Sequence, residues 1–198
     1  MTKPTQVQDV LDFWFGPPAD PDHARPRVQW FRKDEAFDQQ VVARFGALIE
    51  QALAGGTDDW IAPPLQPLPA LARVIVLDQF TRNAFRGSAR AFAGDAMALQ
   101  TARALVAAGL DRGLTGVQRQ FVYLPFEHAE DLAHQRTSVQ LFEQLGRDEP
   151  ALAGLLEWAQ RHHDIVARFG RFPHRNAVLG RASTDEEAAF LLTPGSSF

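Results

Sequence analysis

The sequence predicts an all-α protein, folded as a single compact domain of antiparallel helical hairpins over residues 1–198. Three observations predict it. Apolar residues recur mostly at three- and four-residue intervals, strict alternation over strand length is scarce, and glycine and proline punctuate the periodic stretches. At 198 residues the chain is long enough for one well-buried core and slightly long for two.

Candidate helices cover about 5–15, 34–54, 68–85, 90–108, 115–131, 134–145, 149–169 and 184–192. Gly55-Gly56 stops the second, and PPLQPLP, from Pro63 to Pro69, breaks the chain and gives a rigid start to the third. Gly109 stops the fourth, and Pro125 should kink or divide the fifth. Ser183 with Glu186 offers a capping box for the last. Connections are mostly short, so neighbours should pack antiparallel. Two echoes, VVARFG at 41–46 with IVARFG at 165–170 and RNAFRG at 82–87 with RNAVLG at 175–180, suggest a reused helix-ending device or chance similarity.

Charge and composition narrow the function classes. The net charge of −4, with both signs interspersed, gives no general field for nucleic acid or anionic lipid. Eighteen of the twenty basic residues are arginine, which suits bidentate grip on carboxylate or phosphate, although biased genome composition explains it equally well. Cysteine is absent, which removes a disulfide framework, a thiolate zinc site and a cysteine nucleophile. The start, MTKPTQVQDVLDFWFG, lacks a secretory signal, and no apolar run approaches the roughly 18 residues of a membrane span. A cytoplasmic protein is expected.

Polar residues interrupt faces that should be apolar. Leu71, Ile75, Asp78, Arg82 and Phe85 fall at helical spacing, so one stripe carries a carboxylate and a guanidinium that can pair at i, i+4. Phe121, Leu124, His128 and Asp131 form a second stripe flanked by Glu127 and Glu130. Leu152, Leu156, Ala159, His163, Val166 and Gly170 form a third. The segment RFGRFPHRNAVLGR, 168–181, follows directly, so Arg171, His174, Arg175 and Asn176 would close the end of one shared cavity. Each group also has a structural reading: a satisfied core histidine, a structural ion pair, arginines donating to carbonyls at a helix C-terminus. Convergence of acids, bases and imidazoles favours a site.

At DQFTRNAFRG, YLPFEHAEDLAHQRTSVQLFE and RFGRFPHRNAVLGR, with VLDFWFG near the start, the chain resembles the bacterial domain of unknown function 924 family, over nearly its whole length from about Val10 to Phe198. The resemblance implies a compact helical fold similar to tetratricopeptide-repeat proteins and no established reaction. It marks Asp78, Arg82, Asn83, Glu127, His128, Asp131, Arg171, His174, Arg175 and Asn176 as motif positions. Ala129 stands where relatives are expected to carry serine, which removes a serine nucleophile there.

Chemistry follows from what is present. Glu127, Asp131 and His134, at i, i+4 and i+7, would suit a metal with His128 and His163 nearby, but neither HExxH nor paired ExxH occurs, and no metal is assigned. No GxSxG and no P-loop is present, and the cofactor is left open. The leading reading is a pocket in which Arg82, Arg171 and Arg175, with Asp78, Asn83, His163, His174 and Asn176, hold an anionic small molecule. His128, Glu127 and Asp131 are the acid–base candidates, and the sequence does not decide between binding and turnover. The rival is an interaction scaffold for a peptide or protein partner, with DFWF at 12–15 and WF at 30–31 as a docking patch or as core.

Overall fold

The computed structural model describes residues 3–197. Phe198, where the family resemblance ends, and the first two residues of the N-terminal stretch lie outside the described residues. Every regular element among the described residues is helical. The principal ones are α1 (Lys3–Phe15), α2 (Glu35–Leu53), α3 (Pro67–Val74), α4 (Thr81–Ala84), α5 (Asp95–Ala107), α6 (Gly116–Glu127), α7 (Leu132–Asp148), α8 (Leu155–Phe169) and α9 (Asp185–Leu191). A π-helical segment, Ile75–Phe80, joins α3 to α4.

Contacts divide the chain into two compact units. The first comprises residues up to Arg86 together with Arg90–Pro125, and the second comprises Gly87–Ala89 with the chain from Phe126 onward. In the first, α3 and the π segment are the central rod, packed by α5 and, on other sides, by α1 and α2. Residues 70–81 are all buried, so this rod is enclosed all round rather than along one stripe. Arg73 is accommodated there because Thr57, Thr101 and Asp58 accept its guanidinium hydrogen bonds. Aromatic rings fill the space beside it: Trp14 stacks on Trp30, and Phe121 meets Trp14, Phe15 and Trp30 edge-on. Trp14 and Phe15 of DFWF and the tryptophan of WF are therefore core, while Phe31 stays 60% exposed.

In the second unit α7 and α8 pack along their lengths, and the short link between them makes the pair an antiparallel hairpin. Gly146 permits the tight return, because a Cβ there would stand 2.9 Å from the Ala153 Cα.

Several element boundaries differ from the sequence expectation for local reasons. The helix expected over 90–108 is a 3-10 turn, Ala89–Phe92, followed by α5. The one expected over 149–169 is likewise a turn, Pro150–Leu152, before α8. Pro125 does not divide α6 but falls two residues before its end. The last capping box is Thr184 with Glu187, one residue beyond the expected pair, and Ser183 instead accepts a hydrogen bond from Asn176. VVARFG and IVARFG are not one device: Gly46 lies inside α2, whereas Gly170 is the left-handed C-cap of α8 at φ 70°. RNAFRG and RNAVLG do both end on left-handed glycines, Gly87 and Gly180.

Candidate functional site

The expected site residues fall into two groups, one in each unit. In the first unit, the π segment carries Asp78, which is fully buried. Its Oδ2 accepts from Gln79 Nε2 at 2.6 Å and its Oδ1 from Arg82 Nη1 at 3.1 Å. Arg82 also donates to the Asp78 carbonyl at 2.7 Å and forks onto both oxygens of Asp95 at 2.7 and 3.1 Å. Burial lowers the Arg82 pKa, and the two carboxylates more than offset it, so the group ends above its ordinary value. Asn83 donates to Asp38, which Arg86 grips through two bonds of 2.8 and 2.9 Å. The DQFTRN motif is thus an internally neutralised network, with Arg82 held between two carboxylates.

In the second unit, the C-terminus of α6, the buried face of α8 and the turn Pro173–Arg175 bring imidazoles together. The histidine that α8 turns inward is His162, 6% exposed, and not His163. His163 is partly exposed and bonds its neighbour Asp164 at 3.0 Å. The expected stripe holds at Ala159 and Val166 but not at Leu152, which lies in the preceding turn, or at His163; α8 starts at Leu155 and buries Ala159, His162, Ile165 and Val166. His162 Nδ1 lies 2.9 Å from the Trp158 carbonyl and 3.3 Å from Glu127 Oε1. Two acceptors facing Nδ1 place the proton there and put the imidazole's acceptor lone pair on Nε2. Burial, with the charges of His128, Arg175 and His174 acting in the same direction, pushes the His162 pKa down to about 3.

Around His162 stand His128, with ring centroids 6.3 Å apart, and Phe172, at 5.5 Å. Phe172 in turn meets His174 at 5.7 Å and carries the Arg175 guanidinium over its ring at 4.6 Å. Glu127 is 4% and Arg175 6% exposed.

The remaining motif residues fasten this region. Arg171 grips Glu187 and donates to the Ala182 carbonyl. Asn176 donates to Ser183 and Glu187. Arg181 forks onto Glu130 at 2.5 and 2.9 Å, and Glu130 accepts from the Phe172 N–H at 2.8 Å. Burial raises the Glu130 pKa, but these donors more than compensate, and it ends below the usual carboxylate range. Asp131 is exposed and caps α7 by accepting from the His134 N–H, which lowers its pKa.

The expected run of Glu127, Asp131 and His134 along one helical face does not form. α6 stops at Glu127, where Gln135 Nε2 takes up the Glu127 and Ala129 carbonyls, and α7 begins at Leu132. Among the described residues no group of three or more His, Asp or Glu is placed to hold a metal ion. Nor is any described helix long and apolar enough to cross a membrane.

Sequence reasoning missed His162, Arg181, Asp95 and Asp38, and placed Glu130 only beside the second stripe. The doublet His162-His163 was a usable signal for the first, since either ring could have faced inward. Asp95 and Asp38 reach Arg82 and Asn83 from other helices, and no local pattern announces them.

The profile of a family of bacterial proteins of unknown function, DUF924, matches residues 10–195. The chain belongs to this family. A solved structure, that of the protein of unknown function ATU0120 from Agrobacterium tumefaciens, is similar to this DUF924 chain with a TM-score of 0.82 and 38% sequence identity, over 96% of this chain and 99% of that one. Among curated proteins, none matches.

Proposed function

We propose that the histidine and arginine cluster of the second unit binds a small anion, a carboxylate or a phosphate. One observation carries this reading: His128, from just past the end of α6, and His174 with Arg175, from the turn Pro173–Arg175, gather around the buried His162 and Phe172. Arg175 supplies the fixed cation, and the rings of His128 and His174 supply further polar nitrogens. His162 remains neutral through the ordinary histidine range of about pH 5 to 8, so it serves as a hydrogen-bond acceptor at Nε2 rather than as a cation.

Arg82 lies in the first unit, and Arg171 is bound to Glu187 at the start of α9, so neither belongs to this cluster. The test is thermal-shift titration of the full chain with phosphate and with small mono- and dicarboxylates, at pH 5.5 and 8. The expected outcome is a ligand-dependent rise in Tm at either pH that Arg175→Gln abolishes. Equal shifts in wild type and Arg175→Gln, or no shift with any anion at about 100 times a micromolar Kd, would overturn it.

A further inference from the structure

A second site lies in the first unit and is independent of the histidine cluster. An open pocket of about 400 Å³ is lined by Asp12, Phe13, Arg27, Asp34, Phe37 and Arg44, among others. This volume falls in the range of small-molecule sites. Phe13 organises it. Its ring stacks on Phe37 with centroids 5.3 Å apart and interplanar angle 8°. The Arg44 guanidinium lies 4.7 Å over the same ring. The Phe13 carbonyl accepts from Arg27 Nη1 at 3.3 Å.

Arg27 is held further by the absence of a side chain at Gly16, where a Cβ would stand 2.7 Å from Arg27 Nη2. Gly16 also has φ 84°, so the position suits glycine twice over. Among the described residues Arg27 meets this carbonyl and Arg44 the rings of Phe13 and Phe45, with no carboxylate, in contrast to Arg82, Arg171 and Arg181. Guanidinium groups so placed retain donors for a planar anion. Asp12 and Asp34 line the same pocket, and each retains acceptor capacity beyond its single hydrogen bond, from Gln8 and from the Phe37 N–H.

We propose that this pocket binds a zwitterion of the amino-acid class with an apolar side chain: the carboxylate on Arg27 and Arg44, the ammonium on Asp12 and Asp34, and the side chain against Phe13 and Phe37. Opposite charges in one small pocket with an aromatic wall select a molecule that carries both charges and a ring or branched chain. A simple anion would meet two carboxylates, and a simple amine two guanidinium groups.

The experiment is isothermal titration calorimetry of the full chain at pH 7 with L-phenylalanine, with phenylacetate and phenethylamine as the half-charged controls. L-Phenylalanine is expected to bind, and each control at least about tenfold more weakly. Arg44→Gln, at an exposed position, and Asp34→Asn, which keeps a side chain able to cap α2, should each weaken L-phenylalanine binding about tenfold while circular dichroism stays unchanged. No heat at about 10 mM L-phenylalanine overturns the proposal, as does a control that binds equally well or binding indifferent to both substitutions. His162 and Arg175 variants should leave this titration unaltered.

Discussion

Arg171 grips Glu187 through two parallel hydrogen bonds, Nε to Oε1 at 2.6 Å and Nη2 to Oε2 at 2.7 Å. Glu187 also closes the capping box of α9 by accepting from the Thr184 N–H at 2.8 Å. One carboxylate therefore ties the turn after α8 to the first turn of the last helix.

The Arg171 bonds hold the Glu187 pKa down to about 2, with the Thr184 N–H adding to them. A carboxyl lowered on folding contributes stability that is complete above its unfolded value and is lost as the pH falls towards the folded one. Glu187→Gln should therefore melt below wild type at pH 7, and the gap should close between about pH 4.5 and pH 2. Thermal melts across that interval read it directly.

Arg82 lies between Asp78 and Asp95, and Asp78 is fully buried. Arg82→Met leaves the Asp78 charge uncompensated and should destabilise by about 3 kcal/mol. Asp78→Asn combined with Arg82→Met should be less damaging than the sum of the single changes, because the uncompensated charge is gone. Urea denaturation of the double-mutant cycle measures the coupling.

His162 has its pKa lowered to about 3 by burial. The unfolded chain takes up a proton near pH 6.5 that the folded chain refuses, so stability is complete above that value and falls as the pH drops towards 3. Each pH unit in that window removes roughly 1.4 kcal/mol. His162→Gln should flatten this slope, and NMR should show a His162 ring that does not titrate between about pH 5 and 8.

Gly94 precedes α5 and faces the carbonyl of Leu77 in the π segment, where a Cβ would be driven into the carbonyl oxygen and stand 2.9 Å from its carbon. Since its φ of −92° is open to any residue, close approach alone requires glycine there. Gly94→Ala should lower stability by about 1 to 3 kcal/mol, read by chemical denaturation, with helix content unchanged before the transition.

The helical period made the fold legible, because an apolar face of α2 or α7 leaves its mark at three- and four-residue spacing in the chain itself. Boundaries failed where a turn such as Pro150–Leu152 carries apolar residues in near-helical spacing, and within α8 a step of four from Ala159 chose His163 where the buried face takes a step of three, to His162. The site was legible as a set of residue types and illegible as partnerships. Asp78 with Arg82 is a local pair, one helical turn apart. The carboxylates that neutralise Arg82, Arg171 and Arg181, namely Asp95, Glu187 and Glu130, lie 13, 16 and 51 residues away. Periodicity carries no information at those separations. Nor did it disclose the enclosed rod of residues 70–81, where a continuously buried run reads in sequence like an amphipathic one with polar intrusions.

The wide turn of Ile75–Phe80 holds one more residue per hydrogen-bonded ring than an α-helix does. That wider ring takes in one extra residue, so the rod beyond it leaves with nearly the phase of an α-helix one residue shorter. Arg82, Asn83 and Arg86 therefore still meet Asp95 and Asp38. Taking one residue out of this stretch should close the wide turn to an ordinary one and leave the downstream charge network in place, whereas the same deletion inside a regular helix would turn everything beyond it by about 100°.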